Sequence, residues 1–126
     1  MNKLQEEAEQ FLKEKYSMSD FNSYQRSASS TAIYPDKYKI LYPALGLAGE
    51  AGEVANKVKK IIRDGPENLP DNWREQLASE IGDVLWYCAA LATDLNLTLG
   101  MIAGQNEAKL SKRKQEGTLG GSGDNR

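Results

Sequence analysis

Two pairs of carboxylates are placed where they could do chemistry: Glu50 with Glu53, and Glu80 with Asp83. Each pair is spaced i, i+3, so on a helix its Cβ atoms lie about 5–6 Å apart. Like charges at that separation repel unless a cation or a proton sits between them. Lys57 falls on the same stripe as Glu50 and Glu53, and Tyr87 lies one turn after Asp83. Packing the two helices together would bring four carboxylates to one edge of a seam. Such a cluster, without nitrogen or sulfur donors, suits a hard cation: Mg²⁺, Mn²⁺ or Ca²⁺. Glu and Lys on a helix equally suit a solvated face. Two other readings therefore stand beside catalysis. One is a non-catalytic all-α dimerisation or adaptor module, the other a Ca²⁺- or Mg²⁺-stabilised helical protein without turnover.

The elements that carry these groups follow from apolar periodicity. Leu47, Ala51, Val54, Val58, Ile61 and Ile62 recur at helical spacing, as do Leu77, Ile81, Val84, Leu85, Cys88 and Leu91. The first helix is expected from Pro43 to about Arg63, stopped by Asp64-Gly65-Pro66. The second is expected from Trp73 to Asp94, with Asp71 or Asn72 as its cap and packed antiparallel to the first. Gly46, Gly49 and Gly52 each cost the first helix about 1 kcal/mol relative to Ala, which suggests close helix approach or room for a ligand. Trp86, Ala89 and Ala90 lie opposite the apolar stripe of the second helix, and that side is expected to meet another subunit.

Flanking segments complete an all-α, single-domain bundle of four main helices. Residues 2–16 read as an amphipathic N-terminal helix. Ser17, Ser19 and Asp20 offer caps for a helix from Phe21 to about Ala32, with Phe21 and Tyr24 for packing or base contact. Residues 34–42 read as a loop. A last helix is expected from Leu99 to Gln115 behind an N-cap at Thr98. Asn106, Lys109 and Arg113 share one of its faces. By themselves these cations complement the helix dipole; beside a metal–carboxylate site they would donate to phosphate oxygens. The Gly-rich tail from Glu116 to Arg126 reads as disordered.

Composition narrows the choices. The chain of 126 residues suits one domain, and its net charge of −2 gives no broad cationic field for a nucleic acid polymer. Histidine is absent, which removes His-based triads and most zinc or iron sites. Cys88 is the sole cysteine and sits at an apolar helical position, as a buried inert thiol would. No apolar run reaches the roughly 18–20 residues of a membrane span, and the polar start lacks a signal-peptide core. The expected location is cytoplasmic.

A family resemblance joins these features. Gly46-Leu47-Ala48-Gly49-Glu50-Ala51-Gly52-Glu53, followed by Glu80-Ile81-Gly82-Asp83-Val84-Leu85-Trp86-Tyr87, resembles the ExxE…ExxD signature of MazG-like nucleoside triphosphate pyrophosphohydrolases. Asn106-Glu107-Ala108-Lys109-Leu110-Ser111-Lys112-Arg113 is similar to that family's NxxK(F/L)xxR segment. The resemblance covers about residues 20–115. It implies cleavage of a nucleoside triphosphate to the monophosphate and pyrophosphate, with Mg²⁺ as cofactor and Mn²⁺ as the alternative. Glu50, Glu53, Glu80 and Asp83 are then the metal ligands, one of them doubling as base, with Glu53 the choice. Lys57, Lys109 and Arg113 would bind phosphates, Asn106 phosphate or sugar, and Tyr87 the substrate; Lys60 is a weaker candidate. The resemblance divides the chain into an extension at 1–18, the catalytic domain at 19–115 and a tail at 116–126, which is similar to MazG-like endings and suggests a lid. It also implies nucleotide-pool housecleaning and pyrimidine deoxynucleotides as a first substrate choice. The two-sided apolar helix around Trp86 leads separately to the expectation of a homodimer or dimer of dimers.

Overall fold

The computed structural model describes residues 2–7 and 20–126. Four main helices follow one another: α1 (Phe21–Ser29), α2 (Leu41–Asp64), α3 (Trp73–Asp94) and α4 (Leu99–Glu116). Short 3₁₀ turns, Asp36–Tyr38 and Pro66–Asn68, lie in the connections before and after α2. There is no strand among the described residues, so the expected all-α bundle is found. Residues 3–7 are helical, and the rest of the helix expected over 2–16 lies outside the described residues. No single helix among the described residues is long and apolar enough to cross a membrane; only α3 and α4 taken together, bent by 103°, pass that test.

The helix ends have local causes. Asp20 caps α1 by accepting from the Ser23 N–H at 2.7 Å, and Thr98 caps α4 by accepting from the Met101 N–H at 3.1 Å. The α1 helix stops three residues earlier than the periodicity predicts. Ser30 and Thr31 turn their hydroxyls back onto the carbonyls of Ser27 and Ala28, at 2.6 and 2.9 Å, and so compete with helix continuation. Asn72 stands at the N-cap of α3, but its carboxamide oxygen accepts from the Gln76 side chain instead of a backbone N–H. Gly65 ends α2 at φ +82°, where a side chain would be strained.

α2 and α3 make the most extensive helix–helix contact and run antiparallel: Gly46 lies against Tyr87, Glu50 near Asp83, and Lys57 near Glu80. α1 crosses the other side of α3. Ala28, Ala89, Ala92 and Leu99 form the buried centre, with Tyr24, Trp86 and Cys88 packed around it. Gln25, itself buried, ties three segments together. Its amide donates to the Thr93 hydroxyl and the Leu97 carbonyl at 3.0 and 2.9 Å, and its carbonyl accepts the Leu99 N–H at 2.8 Å. The end of α3 is tied to the segment before α2 through Asp94. Its carboxylate accepts the Tyr34 hydroxyl at 2.7 Å and the Ile40 N–H at 2.9 Å. Ile40 has φ +69°, a strained value for a β-branched residue, held in place by this bond and by the start of α2. Burial and then the bond to Asp94 push the Tyr34 hydroxyl up to about 12.

One expectation is reversed. The Trp86–Ala89–Ala90 side of α3, assigned above to another subunit, lies in the chain's own core: Ala89 is fully buried and Ala90 nearly so. Small side chains let α1 approach closely there, and the Trp86 indole donates to the Thr31 hydroxyl at 2.8 Å. The stripe expected to be core is divided instead. Leu47, Val54, Ile61, Leu77, Val84 and Leu91 are half-buried, whereas Val58, Ile62, Ile81 and Leu85 are exposed. Ile62 is 76% and Ile81 58% exposed, a large apolar surface for one chain to leave open. Among the three glycines of α2, only Gly46 marks a close approach; nothing lies against Gly49 or Gly52.

Candidate active site

The antiparallel register of α2 and α3 brings three of the four expected carboxylates together. Oxygens of Glu50, Glu80 and Asp83 lie within 4.8 Å of one another, with Glu50 and Glu80 half-buried and Asp83 exposed. One cation can be reached by an oxygen from each, and an all-oxygen set suits a hard divalent ion. The electrostatics point the same way. Burial, followed by Asp83, Glu80 and Glu53, raises the Glu50 carboxyl above its ordinary value. Lys57 Nζ sits 3.6 Å from Glu80 Oε1 and offsets part of this negative charge.

Recesses flank the three acids. One, of about 350 Å³, is lined by Glu50, Asp83, Thr31, Trp86 and Tyr87. Its aromatic wall is firmly built: Trp86 meets Tyr87 edge-on at 5.0 Å, Tyr42 leans on Tyr87 at 6.4 Å, and Tyr34 stacks on Tyr42 at 4.7 Å. Burial, then Tyr42, Glu50 and Asp83, raise the Tyr87 hydroxyl, which keeps it a neutral donor. The other recess, about 250 Å³, is lined by Lys57, Lys60, Asp64, Asn68, Trp73 and Gln76, among others. The site thus offers an apolar-aromatic slot, a carboxylate cluster and a lysine-bearing slot along one seam. A ligand with a flat ring and a charged chain would match that order of chemistry.

The remaining expected residues are placed differently. Glu53 is exposed, one turn beyond Glu50, and stands outside the three-carboxylate set. Asn106 is exposed on α4. Lys109 and Arg113 are engaged by the tail through Asp124, with Arg113 buried at 5% exposure. The tail, read from its composition as disordered, therefore folds back on α4. Cys88 is half-buried and burial pushes its thiol up, as an inert thiol requires. Sequence reasoning missed Thr31 and Trp86 as site residues. Thr31 shares the helical spacing of Phe21, Tyr24 and Ala28 but lies just past the end of α1, and that spacing signals packing and not a site. The apolar character of Trp86 is visible in the sequence and points equally to a subunit contact. Asp124 was also missed, although an acid in a glycine-rich tail opposite a basic helix end was a usable signal.

The family model described as "MazG nucleotide pyrophosphohydrolase domain" matches residues 42–118, which span α2, α3 and α4. A relative, "Gene 37 protein" of Mycobacterium phage L5, is 49% identical over 109 residues, covering 82% of this chain and 96% of that protein. No solved structure matches the chain.

Proposed function

Because the chain belongs to the MazG nucleotide pyrophosphohydrolase family, we propose that it cleaves a nucleoside triphosphate between the α and β phosphates, releasing the monophosphate and pyrophosphate. The observation that carries this reading is the meeting of Glu50, Glu80 and Asp83 between an aromatic recess and a lysine-bearing one. Those three residues fit Mg²⁺, with Mn²⁺ as the alternative: their donors are all oxygens, and their mutual repulsion is relieved by a cation. When bound, the ion supplies neutralisation of the polyphosphate charge. Tyr87 and Trp86 hold the base or sugar in the aromatic recess. Lys57, with Lys60 behind it, meets the phosphates. Glu53, exposed and free to turn toward the three acids, serves as fourth ligand or as the base that takes a proton from the attacking water. Asn106, Lys109 and Arg113 supply further phosphate and sugar contacts from α4. The catalytic unit runs over residues 19–115, with 1–18 as an extension and 116–126 as a tail. The setting is cytoplasmic clearance of nucleotides, deoxypyrimidine triphosphates being the first to try.

A panel of nucleoside triphosphates, assayed for pyrophosphate with and without Mg²⁺, tests the reading. Turnover of at least one of them, dependent on the divalent ion, is expected. Absence of turnover across the panel, with no rise of melting temperature on adding Mg²⁺, leaves the acids as a solvated face and the chain as an adaptor.

Assembly follows from the exposed apolar side chains. Leu41, Leu45, Val58, Ile62, Ile81 and Leu85 are the surface we assign to a second copy, giving a homodimer or a dimer of dimers. An obligate contact should bury roughly 1,600 Å² or more. Light scattering at micromolar concentration should give at least twice the mass of the 13.9 kDa chain; a stable monomer would remove this part of the reading.

A further inference from the structure

Beyond α4 the chain reverses direction through Gly117, Gly121 and Gly123, whose φ angles of +70°, +94° and +80° favour glycine. The reversal lays Asp124 against the basic end of α4. A single carboxylate oxygen, Asp124 Oδ1, lies 3.2 Å from both Lys109 Nζ and Arg113 Nη2. Arg113 also donates to the backbone carbonyls of Asp124 and Gly123, at 3.0 and 3.4 Å. The Arg126 guanidinium closes the turn from outside by donating to the carbonyls of Gly123 and Leu119. Lys109, Lys112, Arg113 and Arg126 line a recess of about 350 Å³ in which Asp124 is the lone carboxylate side chain. The Arg113 Nε is buried with no partner, so the guanidinium has donor capacity the tail does not satisfy.

This is a place built for an anion and filled by a weak one. One oxygen shared by a lysine and an arginine is the arrangement a phosphate oxygen adopts between the same groups. Asp124 is 81% exposed, and its pair with the exposed Lys109 is of the solvated kind that holds little free energy. The buried Arg113 keeps two backbone carbonyls as partners when the carboxylate leaves. A polyphosphate brings several charges to the same cations and would outcompete it.

We propose that the tail is a carboxylate gate: Asp124 holds Lys109 and Arg113 in the free chain and gives them up to phosphate when the substrate arrives. The gate rests on the assignment of Lys109 and Arg113 to phosphate binding. The backbone carbonyls of Gly123 and Asp124 keep the turn attached to Arg113 when the carboxylate charge is removed, so Asp124→Asn opens the gate without unfolding the tail.

The test is titration calorimetry of the full-length chain with inorganic tripolyphosphate, in the absence of divalent cations, for the parent, Asp124→Asn and Lys109→Ala. Asp124→Asn should bind the probe about fivefold more tightly, the size of effect a single exposed pair can have. Lys109→Ala should bind it more weakly than the parent. If Lys109→Ala weakens binding but Asp124→Asn binds no more tightly than the parent, the gate falls and the phosphate assignment stands. If Lys109→Ala leaves binding unchanged, the phosphate assignment falls and takes the gate with it.

Discussion

Asp83→Asn and Glu80→Gln should each lower Mg²⁺-dependent pyrophosphate release by at least about 10²-fold, the scale of losing a catalytic carboxylate. Both side chains belong to the set whose oxygens lie within 4.8 Å of one another, so each substitution deletes a donor without changing side-chain size. Asp83→Asn should also keep or gain thermal stability without metal, because it removes a negative charge from a mutually repelling group. Glu80→Gln additionally gives up its ion pair with Lys57 and should lose some stability. For Asp83→Asn, opposite signs in the two measurements distinguish a metal site from a structural pair, which would lose stability. Glu53→Gln reports on a separate role: a fall as large as that for Asp83→Asn makes Glu53 a full member of the site, and near-parental turnover restricts the ligands to the three that meet.

The pH dependence of the same cluster has a definite sign. The Glu50 carboxyl is raised above its ordinary value of 4.5, chiefly by burial and then by Asp83 and Glu80. The folded chain therefore holds this proton at pH values where the unfolded chain has released it. Stability is undiminished below about the ordinary value and is lost as pH rises through the raised one. Melting temperature without metal should thus fall across that window. Mg²⁺ should flatten the fall, since a ligand that binds only the folded chain stabilises it. A melting temperature that rises over that window, or that ignores Mg²⁺ throughout, would remove the cluster as a cation site.

Gly46→Ala should destabilise the chain and weaken substrate binding together. A Cβ at residue 46 would lie 2.1 Å from Tyr87 Cε1 and 2.4 Å from its Cζ, atoms of a rigid ring. Alanine gains about 1 kcal/mol over glycine in helix propensity. Overpacking usually costs about 1–3 kcal/mol, and an overlap this deep belongs at the upper end, so the clash wins. The Tyr87 ring is already hemmed by Trp86 and Tyr42, so relief must come from moving it away from Glu50 and Asp83. The expected result is a net loss of about 1–2 kcal/mol in stability together with a raised KM. Gly49→Ala is the control: with nothing within reach of a new methyl, it should match or exceed the parent in stability. If Gly46→Ala melts and turns over like the parent, the contact between α2 and Tyr87 is not the one described.

The sequence by itself determined the helices, most of their ends and the pairing of the acids. These are local properties: a repeat of 3.6 residues sets which side chains share a stripe, and caps such as Thr98 act on N–H groups three residues away. Tertiary structure decided what lies across from each stripe. Glu50 meets Glu80 and Asp83, and Glu53 does not, because the antiparallel register of α2 and α3 selects one turn over the next. Periodicity showed α3 to be apolar on both sides. That α1 covers the alanine side and leaves Ile81 and Leu85 open depends on how closely another helix can approach, a matter of side-chain volume summed over two elements. The tail shows the same division. Its glycines predict freedom, and three of them use that freedom to enter the left-handed region and turn back. Only the folded chain supplies Lys109 and Arg113 at the place where Asp124 then arrives.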